Sequence, residues 1–236
     1  TTWYGYEEVD SDPQTFALWA WGSDAWGQLA QNSADVKRSS PIQIGSDTTW
    51  SSVIIGTGIA AAAIKSDGTL WTWGSSENYG ALGQNQPVTT NYSSPVQVPG
   101  TTWSHVSGLK EGSMVALKTD GTLWGWGRND YGQLGNNTIV NYSSPVQCPG
   151  TTWSVARGGS SNTFAIKTDG TLWTMGSNGL GQLAQNNRTA YSSPVQIPGT
   201  DWSTIAAAGE GLGAVKAVKS DGTMWAWGDG GGGSTG

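Results

Sequence analysis

Short runs of alternating apolar and small polar residues recur about every fifty residues, separated by glycine-rich polar stretches. The third unit is the clearest. Trp103-Ser104-His105-Val106-Ser107-Gly108 predicts a first strand, Met114-Val115-Ala116-Leu117-Lys118 a second and Thr122-Leu123-Trp124-Gly125-Trp126-Gly127 a third. Asp120-Gly121 between the last two predicts a tight hairpin turn, because both residues tolerate positive φ. The same turn is expected at Asp67-Gly68, Asp169-Gly170 and Asp221-Gly222. A loop containing Gly132-Gln133-Leu134 follows, and Tyr142-Ser143-Ser144-Pro145-Val146-Gln147-Cys148 then reads as an extended segment. Its proline suits an edge strand, where no ladder hydrogen bond is needed from that nitrogen.

Three antiparallel strands and a proline-bearing outer strand cannot bury two sheet faces alone. Radial stacking of such sheets does bury them, so the period predicts an all-β β-propeller, one sheet per blade. The repeats are placed at about 1–47, 48–100, 101–150, 151–199 and 200–228, with a glycine-rich tail over 229–236. A parallel β-helix is the main alternative; its coils are shorter and need no hairpin per unit. Fourteen of fifteen tryptophans fall at three repeat positions. Trp3, Trp50, Trp103, Trp153 and Trp202 open the units. Trp19, Trp71, Trp124, Trp173 and Trp225 start the Trp-X-Trp pair, and Trp21, Trp73, Trp126 and Trp227 end it, with Met175 standing in once. Residues i and i+2 of a strand share a face, so each pair is assigned to packing against one neighbouring blade. Leu70 and Leu123, on the opposite face, are assigned to the other.

The three inner strands occur five times and the outer strand four times (Pro41, Pro95, Pro145, Pro194), nineteen in all. The fifth blade therefore lacks an outer strand. Two readings stay open: a five-bladed body whose free edge pairs with another subunit by strand addition, or part of a larger propeller. The chain starts at Thr1 without Met or a basic-then-apolar leader, which is read either as removal of an N-terminal segment or as a part of a longer chain. In the first unit Asp10-Ser11-Asp12-Pro13 replaces the Asp-Gly turn.

Charged residues make up 12% of the chain and the net charge is −6, so no basic footprint for nucleic acid is expected. No apolar run reaches the roughly 20 residues of a membrane span. The single cysteine, Cys148, takes the place of Val98 and Ile197 and is read as a small buried hydrophobe. His105 aligns with Ser52 and Thr204 and is read as a solvent-facing strand residue. Glu7, Glu8, Asp10 and Asp12 cluster, which is read as a solvated turn rather than a cation site. No metal site, cofactor or catalytic residue is expected, since there is neither a Gly-X-Ser-X-Gly elbow nor a Lys-Ser/Thr phosphate cradle. Asn91, Asn136, Asn141 and Asn187 sit in glycosylation-type triplets, which arise cheaply in so Asn/Ser/Thr-rich a chain.

The candidate binding residues are those before Gly-Gln-Leu: Trp26, Tyr79, Tyr131 and Leu180. They would form an apolar rim suited to a protein partner or glycan if they project from one face. The other reading, favoured from sequence, is that they fold back and cap their own blades.

The run Ala165-Ile166-Lys167-Thr168-Asp169-Gly170-Thr171-Leu172-Trp173, with Gly176-Ser177-Asn178 and Gly181-Gln182-Leu183, resembles the repeat of the regulator of chromosome condensation 1 family. Gly-Gln-Leu recurs at residues 27–29 and 132–134, while the second unit departs from it with Gly80-Ala81-Leu82-Gly83. The resemblance covers nearly the whole chain. It implies a propeller of fifty-residue repeats, commonly seven-bladed. Its founding member is a guanine-nucleotide exchange factor that touches chromatin, and relatives include an inhibitor of a β-lactamase. The wording Ser-Ser-Pro-Val-Gln then Pro-Gly-Thr-Thr-Trp is most similar to prokaryotic and viral members. Propellers serve unrelated tasks, so fold implies function weakly. The expected function is a non-enzymatic structural or protein-interaction propeller, in an extracellular or virion-surface assembly with other protein subunits. The alternatives are a glycan-binding attachment propeller and, less favoured, a GTPase exchange factor.

Overall fold

Seventeen strands in five antiparallel sheets make up the computed structural model, which describes residues 16–33, 37–55, 60–76, 79–87, 89–110, 112–207 and 214–229. The first sheet pairs β1 (Trp19–Gly22) with β2 (Arg38–Gln43). The second runs in order through β3 (Trp50–Ile55), β4 (Ala60–Lys65), β5 (Leu70–Gly74) and β6 (Tyr92–Gln97). The third is β7 (Trp103–Leu109), β8 (Ser113–Lys118), β9 (Leu123–Gly127) and β10 (Tyr142–Cys148). The fourth is β11 (Trp153–Gly158), β12 (Asn162–Lys167), β13 (Leu172–Gly176) and β14 (Tyr191–Gln196). The last has three strands, β15 (Trp202–Ala207), β16 (Val215–Lys219) and β17 (Met224–Trp227). The other two expected strands, with Trp3, the acidic cluster and the Asp10–Pro13 turn, lie outside the described residues, as does the tail beyond Asp229.

Each blade is built by the same local chemistry. At the hairpin, Asp120 Oδ1 accepts from Thr122 N (3.0 Å) and Oγ1 (2.6 Å), which pins the turn. Gly121 takes φ +76°, and a Cβ there would come 3.0 Å from Thr152 N of the next blade. That close approach lets Trp153 N donate to Gly121 O at 2.9 Å, a backbone tie between blades repeated as Trp103 to Gly68 and Trp202 to Gly170. The prolines sit in the outer strands, where pairing shifts register between Tyr142 and Val146.

Four hydrophobic clusters lie between consecutive sheets. In one, Leu70 of the second blade meets Trp126 and Trp103 of the third; in another, Leu123 meets Trp153 and Met175. The opening tryptophan of a unit packs edge-on against its own Trp-X-Trp pair, as Trp103 does with Trp124 (6.3 Å) and Trp126 (6.1 Å). β4 is nearly all alanine because both its faces meet indoles, Ala61 and Ala63 on one side and Ala60 and Ala62 on the other. The last indole of each pair reaches back: Trp73 Nε1 donates to Gln28 O, Trp126 to Ala81 O and Trp227 to Gln182 O, at 2.8–2.9 Å. Met175 cannot donate. There Thr163, paired across the ladder with Met175, donates its Oγ1 to Gln133 O at 2.8 Å instead.

The assignment of every Trp-X-Trp residue to blade packing needs correction at the ends. Trp19 is 54% and Trp21 63% exposed, because no described blade precedes theirs, and Trp225 is about half exposed although it packs edge-on against Trp202. Met224, on the opposite face of the last blade, is 71% exposed. Among the described residues no hydrophobic cluster joins the fifth sheet to the first.

Candidate functional site

β5, β9 and β13 each follow an Asp-Gly turn and lead, at their other ends, into the loops carrying Tyr79, Tyr131 and Leu180, as β1 leads into that of Trp26. The loops therefore share the propeller face opposite the turns. An internal frame sets each one. In the third blade the buried Asn129 accepts from Leu134 N (2.9 Å) and donates through Nδ2 to Thr138 O (3.0 Å). Asn178 does the same in the fourth blade, and Asp24 accepts from Leu29 N in the first. The loop then seats on the next blade. A Cβ on Gly132 would lie 2.3 Å from Ser192 Cα, and Asn137 N donates to Ser192 O (2.8 Å). Gly27 and Gly80 make the same approach to Ser93 and Ser143.

The glutamine of Gly-Gln-Leu decides where the candidate side chain goes. Gln28 Oε1 accepts from Trp26 N, Gln133 Oε1 from Tyr131 N and Gln182 Oε1 from Leu180 N, at 2.8–3.0 Å. With the backbone held inward, Trp26 is 48%, Tyr131 43% and Leu180 45% exposed. In the second blade Ala81 replaces the glutamine, Tyr79 N bonds to Ser76 O instead, and the Tyr79 side chain is half-buried. The Arg128 guanidinium lies 5.0 Å over the Tyr79 ring and 6.0 Å from the Tyr131 ring, bringing residues of two blades together, and its Nε bonds Asp130 at 2.7 Å. Ile139 and Val140 are also exposed. The structure thus presents three of the four candidates outward and links two. Gln28, Gln133, Gln182 and Arg128 were not picked out by sequence, although the recurring glutamine was a visible signal.

Two other expectations change or gain detail. His105 is half-buried rather than solvent-facing, because β7 and β11 converge so closely that a Cβ on Gly158 would meet Gly108 O at 2.6 Å. Arg157 Nη1 donates to His105 Nε2 at 2.5 Å. Burial, and then the Arg157 charge, hold the imidazole below its usual pKa. Cys148 is fully buried, and burial pushes its thiol up to about 12. The triplet asparagines act inside the loops: Asn141 Oδ1 accepts from Asn129 N (2.7 Å) and Asn91 Oδ1 from Ser76 N (3.0 Å). Among the described residues no three His, Cys, Asp or Glu side chains gather as a metal site, and no helix is long and apolar enough to cross a membrane.

Comparison with known proteins agrees with this architecture. The family model for the regulator of chromosome condensation (RCC1) repeat matches residues 67–113, 120–166 and 169–215. The chain is 31% identical over 148 residues to the human E3 ubiquitin-protein ligase HERC2, which is 57% of this chain but 3% of that protein. It is 25% identical over 159 residues to the Arabidopsis thaliana mitochondrial RCC1 domain-containing protein RUG3, 35% of whose length is covered. Among solved structures, human WBSCR16 superposes with a TM-score of 0.71 at 20% identity, over 86% of this chain and 55% of that one. Yeast RCC1 (Prp20), solved bound to Kap60, gives 0.72 at 17% identity, over 91% and 52%. The chain spans about half the length of these structures, and they share its fold.

Proposed function

We propose, from the premise that the chain belongs to the regulator of chromosome condensation (RCC1) repeat family, that it is a non-enzymatic module whose loop face docks a protein partner. The observation that carries this reading is the glutamine-pinned row of Trp26, Tyr131 and Leu180 beside the Arg128–Tyr79–Tyr131 stack. Half-exposed aromatic side chains on a rigid frame lose little conformational entropy on binding, and aromatic and Arg side chains dominate protein interfaces. Yeast Prp20 has been solved bound to Kap60 and has binding properties to Gsp1p and histones, which supports a protein as the class of partner without supplying its identity. The sparse charge suits an extracellular or virion-surface assembly, which is the setting we propose.

A photo-crosslinking residue at Tyr131 or Leu180, placed in the native source, tests the docking face. One protein should be captured there and not from Thr119 on the turn face, and Tyr131→Ala with Leu180→Ala should abolish its binding. Binding undiminished in the double variant refutes the reading. A glycan array is the arm for the second reading, supported by the exposed Trp26 and Tyr131 rings: glycan binding lost with the same alanines would replace the protein partner. Comparing the proteins of purified particles and secreted fractions with those of whole cells tests the setting.

A further inference from the structure

A groove runs between neighbouring blades, bounded on one side by the end of the loop that seats on the next blade. The groove of about 440 Å³ between the third and fourth blades is lined by Trp153, Lys167, Trp173, Gly150, Asn137 and Ser193-Pro194. That of about 460 Å³ between the first and second blades is lined by the equivalent residues Trp50, Lys65, Trp71, Gly45, Asn32 and Ser94-Pro95. One charged group distinguishes them. The connection from Ile44 to Trp50 is a residue longer than its counterpart from Val98 to Trp103, and it carries Asp47. Asp47 Oδ2 sits 2.5 Å from Lys65 Nζ and Oδ1 accepts from Thr49 N, so the first groove holds a carboxylate on its lysine.

In the later blades the lysine keeps its place. Lys118 Nζ lies 4.7 and 4.4 Å over the Trp103 and Trp124 rings, and Lys167 Nζ 4.8 and 4.6 Å over Trp153 and Trp173. Among the described residues neither has a carboxylate partner; Asp120 and Asp169 lie close by but spend Oδ1 on Thr122 and Thr171. A notch remains beside each ammonium. A Cβ on Gly100 would lie 3.5 Å from Lys118 Nζ and 3.8 Å from Trp103 Nε1, and one on Gly199 would lie 3.4 and 3.9 Å from Lys219 Nζ and Trp202 Nε1. At Gly150 the same position is 3.5 Å from Trp153 Nε1. The indole N–H groups of Trp103, Trp153 and Trp202, all nine-tenths or more buried, have no acceptor; nor has that of Trp50, so Asp47 engages the lysine of its groove and not the indole.

We infer that the Lys167 groove, and the equivalent positions at Lys118 and Lys219, bind aspartate or glutamate carboxylates of an acidic protein segment in the manner of Asp47 on Lys65. A lysine between two indoles is fixed in place, which lowers the entropy lost when an anion joins it. Aspartate on a chain segment is the occupant the protein already uses, and the net charge of −6 keeps each contact weak, so several acids along one segment are needed for occupancy.

The test follows the indole N–H resonances of the full chain in ¹H–¹⁵N spectra during titration with the peptide (Asp-Ser)6, with (Asn-Ser)6 and a heparin oligosaccharide as parallel arms. Saturable shifts of Trp153, Trp103 and Trp202, with Trp50 still, are expected from the aspartate peptide alone. Lys167→Met should silence Trp153 and leave Trp103 responding, and Asp47→Asn should add Trp50 to the responders. No shift at millimolar peptide, an equal response to the asparagine peptide, a response to heparin alone, or Trp50 moving with the others in the unmodified chain would overturn the inference.

Discussion

Thr163→Val isolates the contact that replaces the missing indole donor in the fourth blade. Thr163 and Gln133 are both fully buried, and Thr163 Oγ1 donates to Gln133 O at 2.8 Å. Valine keeps the shape and removes the donor, so the carbonyl is left dry and unpaired, at a cost of about 1–3 kcal/mol. For a chain of this size that lowers Tm by roughly 2–12 °C. The third blade shows the remedy. Trp126 faces Met114 across the ladder and donates to Ala81 O, and it fits over Gly83, whose absent Cβ would lie 2.9 Å from Nε1. Gly135 keeps the same space open beside Met175. Met175→Trp added to Thr163→Val should therefore return a donor to Gln133 O and recover at least about 1 kcal/mol over the sum of the single changes. Guanidinium unfolding of the four proteins measures the cycle. A Thr163→Val chain within about 0.5 kcal/mol of the parent, or an additive double variant, refutes the donor-replacement argument.

Trp126→Phe should cost roughly 2–4 kcal/mol, from lost volume and an orphaned Ala81 carbonyl, while Trp21→Phe at the exposed end should stay within about 0.5 kcal/mol; denaturant midpoints decide. His105 has its pKa lowered, so the stability it contributes is complete above the ordinary value of 6.5 and is lost as pH falls through the folded value. His105→Gln should accordingly flatten the fall in unfolding free energy between neutral and mildly acid pH. With its thiol near 12 and no exposed surface, Cys148 should resist a disulfide reagent at pH 8 in the folded chain and react at once in denaturant; rapid native labelling would contradict that.

The parts legible in the sequence were those written in period and spacing. Trp-X-Trp put two indoles on one strand face, and Leu70 and Leu123 on the other, without any knowledge of neighbours. Asp-Gly marked the turns because few other pairs take that backbone. What a linear pattern does not carry is the meeting of residues from different blades. His105 aligns with Ser52 and Thr204, yet it alone faces an arginine, Arg157, across converging strands. Met175 was visible as an exception, but its compensation by Thr163 needed the cross-strand register. The outward set of Trp26, Tyr131 and Leu180 depended on a glutamine two residues on, whose side chain turns back onto the preceding backbone. Likewise, a one-residue difference in loop length hid the role of Asp47.

The indole-to-carbonyl contacts of Trp73, Trp126 and Trp227 each span 45 residues of chain. During synthesis, then, a blade leaves the ribosome with its leucine face bare and is covered only when about one further repeat has emerged. Folding coupled to synthesis would then advance from the amino end, with a single unsatisfied blade at its front. Chaperone demand should stay constant along the message rather than grow with its length, and a stalled ribosome should display one sticky sheet wherever it stops.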